Sequence, residues 1–288
     1  MHSFLEDLDG PRQKAVQAMR DCVPQDLRRQ NAEFLQSLRD KISSHPVFRH
    51  PTIAALNGGR LHIEAMKSIH LEYRHAIVQI FTDALLAAQS ETRQLEPRLH
   101  PDAKLAPRFL YTPNDLDEFG FRPGCDSEGY CQGNPAYAHY PQFERVIDDY
   151  GIEAQERGDY VPSRAADMVR RFLMNSYGNY LDVLALLAVA EEELIPFSPP
   201  LRTATGAVGI DVSKGYYFVH GVAGDESSDA ADDDHQNDLW LLLTQALTPD
   251  QYPRISALCE QYCELWERFW ALQLASASHP DLAPPVIA

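Results

Sequence analysis

Hydrophobic residues recur every three or four positions through most of the chain, a spacing that predicts helices. The first helical segment covers residues 12–42 and is interrupted near Pro24. A longer helix is predicted from Leu61 to about Gln89, because its apolar residues form one continuous stripe. That stripe consists of Ile63, Met66, Ile69, Tyr73, Ile77, Ile80, Phe81 and Leu85.

The second half of the chain repeats this helical pattern. A shorter helix is predicted over residues 141–156, and the most hydrophobic helix runs from Ser163 to Glu193. Three prolines that follow it predict a firm stop, and glycines weaken the helical pattern of residues 205–220. The three prolines are Pro196, Pro199 and Pro200, and two further helices are predicted over 239–247 and from Pro249 or Asp250 onward.

The remaining stretches are polar and lack a period. We therefore expect one all-helical domain over residues 1–288, built as a bundle of about seven helices without an alternating strand. Within it we expect a flexible insertion at about 95–135 that is rich in Pro, Gly, Asp and Asn. An acidic insertion is predicted at about 221–234, and a frayed tail from about residue 276.

Composition narrows the classes of partner. The net charge of −17 disfavours binding to nucleic acid and to anionic membranes. Hydrophobic residues make up 44% of the chain, which is ample for a core. The longest apolar stretch, residues 183–190, is too short to cross a bilayer, and the acidic N-terminus does not resemble a signal peptide.

The five cysteines are sparse and include no CxxC pair, so we expect reduced thiols and a cytoplasmic location. A small-molecule substrate and a homodimer are the default expectations.

The common nucleotide, hydrolase and zinc-protease motifs are missing. The sequence has no GxGxxG, no P-loop, no GxSxG elbow and no HExxH. Histidines and carboxylates at helical spacing remain, and these are the ligands that oxygen-activating non-haem iron prefers. Helical bundles supply such ligands from separate helices whose side chains point inward.

Glu192 and His220 are two candidate metal ligands. Glu192 lies on a face of small and apolar residues near a helix end, where negative charge is unfavourable unless a cation offsets it. It equally fits a solubilising acidic run. His220 ends the aromatic run 216–220, where a hydrogen-bonded core histidine is the competing interpretation.

The other candidates are polar residues with ordinary alternatives. Asp232 and His235 are three residues apart and share one helical face, with Asp225 as a competing carboxylate and a solvated charge run as the alternative. The remaining candidates are also compatible with an exposed surface. They are Glu118, His139 and Glu72.

At these residues the sequence resembles the haem-oxygenase-like di-iron oxidases and oxygenases, which share their fold with the TenA/thiaminase II and PqqC-like proteins. Asp117-Glu118-Phe119-Gly120 resembles the DE-x-G motif, and His139 resembles the histidine that follows it. Glu192 with Pro196 resembles the ExxxP context, and residues 209–220 resemble the approach to a final HxxxDxxH cluster. The resemblance implies metal ligands, with Glu72 as the early acidic one.

The final cluster departs from that pattern. Counting back from His235, Asp232 fits, but Ser228 stands where the first histidine belongs. Counting forward from His220, Gly224 stands where the aspartate belongs. An insertion between His220 and Asp232 would reconcile both readings, and without one the site would bind one metal ion or none.

The resemblance implies an oxidoreductase with iron, expected as two ions, that uses O2 on a small organic substrate. Two alternatives stay open. One is a metal-free enzyme of the PqqC or TenA kind, and the other is a non-catalytic helical protein that binds a ligand or partner.

Overall fold

The first helices confirm the break expected near Pro24. The structure, a computed structural model, describes residues 10–219 and 229–278, without the side chains of Pro123 and residues 229–236. Pro11 begins α1, and Pro24 directly precedes α2. Proline is tolerated at helix N-termini, because the first amide groups of a helix have no hydrogen-bond partner within it. These helices are α1 (Pro11–Asp21), α2 (Gln25–Ser43) and α3 (Pro51–Asn57).

The long helix predicted from Leu61 is divided in two. The backbone of Ile77 leaves helical angles at φ −142°, and a 3-10 turn over Val78–Ile80 connects the two parts. The apolar stripe continues across the break, so periodicity alone did not reveal it. The parts are α4 (Ile63–Ala76) and α5 (Phe81–Glu91).

The stretch predicted as a long insertion contains regular structure, including strands that the pattern did not predict. It holds α6, which includes two prolines, and a two-stranded antiparallel hairpin. The strands were missed because they are short and do not alternate in burial. The elements are α6 (Leu105–Glu118), β1 (Phe121–Cys125) and β2 (Cys131–Gly133).

The helices predicted over 141–156 and 163–193 are each divided. The central helix α10 is buried on all sides from Val183 to Val189, as expected for a helix that is apolar all round. It continues through Pro196, Pro199 and Pro200, contrary to the predicted stop, because buried residues beyond them keep its packing. These helices are α7 (His139–Asp149), α8 (Ala154–Asp159), α9 (Arg164–Met174) and α10 (Tyr180–Ala207).

The last helices close the bundle around α10. α10 packs against α3, α5, α12 and α13, while α4 packs against α9 and α13. The closing helices are α11 (Tyr216–Val219), α12 (Asp229–Ala246) and α13 (Tyr252–Ser278). In the part of the chain that the structure describes, no helix combines the length and apolar character needed to cross a bilayer.

Candidate functional site

A cavity that opens to solvent lies where the break between α4 and α5 faces α10. The end of α6, the start of α7, α11 and α13 complete its wall. Most of the wall is aromatic or aliphatic, which suits a small organic molecule. The apolar wall includes Tyr73, Ile77, Phe81, Leu194, Tyr216 and Trp266.

Glu118 and His139 reach this cavity from the two ends of the hairpin segment. Gly120 ends α6 with φ +83°, and its amide donates to the carbonyl of Asp117 over 2.8 Å. A Cβ on Gly120 would lie 2.4 Å from the backbone nitrogen of Ala138. This close approach, which only glycine permits, brings the end of α6 beside the start of α7.

The two side chains form a direct pair. Nδ1 of His139 lies 2.9 Å from Oε1 of Glu118, and both side chains are about nine-tenths buried. Asp117 is half-exposed, with Oδ2 3.6 Å from Nε2 of His139. The sequence prediction that Glu118 and His139 share one site is therefore matched by their placement, while their role as metal ligands stays a prediction.

Glu191, which the sequence analysis did not select, is the next acidic residue of the cavity wall. Like Glu118, Glu191 acts electrostatically on the buried hydroxyl of Tyr111. Burial is the largest cause that raises the pKa of Tyr111, and Glu191, Asp115 and Glu118 raise it further. Glu118, Glu191 and the imidazole of His139 thus line one cavity.

Glu192, the predicted ligand, is not a wall residue of the cavity. Its Oε1 accepts hydrogen bonds from Nε of Arg39 over 2.5 Å and from Nε1 of Trp240 over 3.0 Å. Consecutive residues lie about 100° apart around a helix, so three adjacent glutamates face different neighbours. The spacing to Pro196 could not show which of them faces the cavity.

Glu193 is the third member of this acidic run and also lies in the cavity wall. Its side chain is buried, and Nε1 of Trp270 donates to its Oε1 over 2.5 Å. Burial raises the pKa of Glu193 to about 8, against an ordinary value of 4.5. The carboxyl is therefore largely protonated at neutral pH unless a cation lies nearby.

Glu72 is buried but belongs to a different set of contacts. Its carboxylate accepts hydrogen bonds from the hydroxyls of Tyr160 and Ser163 and, over 2.8 Å, from the backbone nitrogen of Ser163. Ser163 in turn caps α9. The structure thus places Glu72 at the junction of α4 and α9, and not among the cavity wall residues.

The final cluster of predicted ligands lies outside the part of the chain that can be described. His220 and Asp225 fall in the undescribed segment 220–228, and the side chains of Asp232 and His235 are likewise not described. Among the side chains that are described, no three from His, Cys, Asp and Glu are grouped as ligands of a metal ion.

His70 is a buried polar residue that the sequence analysis missed. Its Nδ1 lies 2.7 Å from the carbonyl oxygen of Met66, so Nδ1 carries the proton and Nε2 accepts from the hydroxyl of Tyr217 over 2.7 Å. Thr205 lies 3.3 Å from the same Nε2 and accepts from Tyr150. This series of hydrogen bonds connects α4 to α10 and α11. The apolar stripe on α4 gave no signal for it.

The donor set at the cavity fits iron in chemical terms. Carboxylates with an imidazole suit non-haem iron, and an apolar wall leaves coordination positions for small molecules. On α6, three polar atoms in the two turns before Glu118 are buried without a hydrogen-bond partner among the described residues. They are Tyr111 Oη, Asn114 Nδ2 and Asp115 Oδ1. Buried polar atoms without partners are unusual in native structures and often indicate a bound water or ion.

The helical architecture is a haem-oxygenase-like fold. Among solved structures, the chain is similar to a domain of unknown function with this fold from Shewanella denitrificans, at 13% identity and a TM-score of 0.58 over 88% of this chain and 95% of that one. It is also similar to a TenA homologue from P. horikoshii, at 13% identity and a TM-score of 0.55 over 85% and 98%.

A TenA homologue from Pseudomonas syringae shows the same likeness, at 11% identity and a TM-score of 0.53 over 92% of this chain and 97% of that one. At such identities the likeness shows the fold alone. The sequence matches no protein-family model and no curated protein.

Proposed function

We propose that the chain is a non-haem iron oxidase or oxygenase that acts on a small organic substrate with O2. The observation that carries this proposal is the placement of Glu118, His139 and Glu191 in one largely apolar cavity of the helical bundle. Iron bound there, expected as two ions, would supply the activation of dioxygen. We assign the remaining ligands to His220, Asp232 and His235, as the sequence resemblance implies.

The residues of the cavity have separate tasks in this proposal. Glu118 and Glu191 supply negative charge that offsets a bound cation. His139 supplies a neutral nitrogen, held in place by the 2.9 Å contact with Glu118. The aromatic and aliphatic wall keeps water away from the substrate and orients its apolar part.

Iron loading tests this function directly. Purified protein is stripped with chelator, loaded with Fe²⁺ without oxygen and desalted, and iron per chain is measured. We expect at least one equivalent in the wild type, and a loss of ten-fold or more in affinity in Glu118→Gln and His139→Gln. Asp149→Asn, at an exposed position on α7, is the matched control and should bind as the wild type does. If both site variants retain as much iron as the wild type, the proposed ligands are refuted.

Oxygen consumption tests the reaction. The iron-loaded protein should consume O2 faster when a suitable substrate is present, and we expect that substrate among small amines, amino acids and fatty acids. A closed-cell oxygen electrode with a panel of such compounds measures the rate. The Glu118→Gln protein should show no stimulation by the compound that stimulates the wild type.

A metal-free enzyme on this fold is the second candidate. It is favoured by the absence, among the described side chains, of three grouped ligands. In this case Glu118 and His139 would act as an acid–base pair, because an imidazole paired with a carboxylate can accept and return a proton. Turnover of a substrate that survives complete chelation of metal would favour this candidate over the iron enzyme.

A further inference from the structure

Two cysteines lie opposite each other in the hairpin that separates Glu118 from His139. Cys125 ends β1 and Cys131 begins β2, and they are direct partners in the antiparallel register. Both are exposed free thiols. The sequence analysis expected reduced cysteines and did not pair them, because their separation of six residues matches no common motif.

The turn of the hairpin determines which kind of pair they form. The amide of Asp126 donates to the carbonyl of Tyr130 over 2.8 Å, and the amide of Gly129 donates to Asp126 over 3.1 Å. Gly129 has φ +87°, so the loop is a type I turn followed by a glycine bulge. Asp126 and Tyr130 therefore form the last hydrogen-bonded pair before the turn.

Antiparallel pairs alternate between hydrogen-bonded and non-hydrogen-bonded positions. The next pair, Cys125 with Cys131, is therefore non-hydrogen-bonded. Consistent with this, the carbonyl of Cys125 accepts a hydrogen bond from the side chain of Gln132 over 2.9 Å. Cα atoms in such pairs are typically about 4.5 Å apart, within the range that a disulfide spans.

We propose that Cys125 and Cys131 form a reversible disulfide that locks the segment joining Glu118 to His139. A small-molecule disulfide such as oxidised glutathione is the oxidant. The thiolate of one cysteine attacks it, forming a mixed disulfide and releasing one reduced glutathione. The thiolate of the other cysteine then attacks the protein sulfur, closing the bond and releasing the second. Two protein thiols are oxidised and one glutathione disulfide is reduced.

The base of the hairpin explains why this bond would reach the site. The amide of Asn134 donates to the carbonyl of Gly120 over 3.0 Å, and a Cβ on Gly133 would lie 2.7 Å from the backbone of Gly120. The strands are thus tightly closed next to Glu118. A second closure at residues 125 and 131 would restrict the whole segment from 119 to 138.

Mass spectrometry tests the bond in the full-length protein. One tryptic peptide, residues 109–145, carries both cysteines and none of the other three, because trypsin does not cleave at Arg122 before Pro123. After equilibration with glutathione buffers of increasing oxidised fraction and acid quenching, we expect this peptide to lose the mass of two hydrogens. Cys125→Ser and Cys131→Ser should each instead carry one glutathione adduct. A wild-type peptide that carries adducts at both thiols, or stays reduced in the most oxidising buffer, would overturn the proposal.

Hydrogen–deuterium exchange tests the locking of the segment. Amides between residues 119 and 138 should exchange at least about three-fold more slowly in the oxidised protein than in the reduced protein. A Cys125→Ser/Cys131→Ser double variant controls for oxidation of Cys22, and its exchange should not depend on the buffer. Equal exchange in the oxidised and reduced wild type would show that the bond does not restrain the loop. This test does not depend on iron, so its failure and that of the proposed function are distinguishable.

Discussion

Tyr217 donates its hydroxyl hydrogen to Nε2 of His70 over 2.7 Å, and so joins the short helix α11 to the middle of α4. Both residues are buried, and their neighbours Tyr216 and Tyr73 line the cavity. The bond therefore fixes two walls of the cavity relative to each other. It requires a neutral His70, because a protonated imidazole has no acceptor nitrogen.

His70 should make stability depend on pH. Burial lowers its pKa to about 4, against 6.5 in an unfolded chain. Between these values the unfolded state binds the proton and the folded state does not, so stability is lost as pH falls from 6.5 toward 4. At pH 5 the loss relative to pH 7.5 should be about 2 kcal/mol. Urea unfolding of chelated wild type and His70→Gln at both pH values measures it, and a variant with the wild-type difference would contradict the assignment.

Substitutions at Glu191 and Glu192 should differ in their effects on iron binding and on stability. Glu191→Gln changes a cavity residue, so it should lower iron affinity ten-fold or more in protein that remains folded. Glu192→Gln weakens the bonds to Arg39 and Trp240, so it should lower stability by about 1–2 kcal/mol and retain iron. Iron titration and urea unfolding of both variants provide the comparison. The reverse pattern would return the ligand role to Glu192.

Glu72→Ala should be destabilising without affecting iron. The change leaves the donors of Tyr160 and Ser163 without their buried acceptor, which should cost about 2–4 kcal/mol. Glu64→Ala, at an exposed position on the same helix, is the matched control and should change stability by less than about 0.5 kcal/mol. Loss of iron in folded Glu72→Ala protein would instead support the early acidic ligand that the sequence resemblance implies.

Gly120→Ala should disturb the site through the backbone. The added Cβ would meet the nitrogen of Ala138 and the carbonyl oxygen of Asn134, and φ +83° is unfavourable for alanine. We expect a loss of about 2 kcal/mol or more, together with weaker iron binding. Gly158→Ala, with open space around its Cβ in α8, should be neutral or stabilising by up to about 1 kcal/mol. Thermal unfolding of both variants makes the measurement.

Hydrophobic periodicity was sufficient to predict the all-helical class, because the residues that face the core of a bundle recur at helical spacing along the sequence. It did not show the break at Ile77, which depends on a local change of backbone angles within an unbroken apolar stripe. The stop predicted at the prolines of α10 was also wrong, because the residues beyond them are buried and their packing keeps the helix intact.

The site was predictable only in part. Glu118 and His139 were found because they stand in a recognisable order along the chain, and the close approach at Gly120 brings them together. Glu191 was missed because its selection depends on how α10 is rotated about its own axis. Neighbouring helices determine that rotation, and no local pattern encodes it.

The rotation of α10 about its own axis limits how the length of this sequence can vary among relatives. Its glutamates at 191, 192 and 193 have three different tasks, namely the cavity wall, the contacts with Arg39 and Trp240, and the buried bond to Trp270. A one-residue insertion or deletion between Tyr180 and Glu191 would turn the run by about 100° and reassign all three at once. Relatives of this chain should therefore vary freely in the apolar identities of this stretch while keeping its length constant.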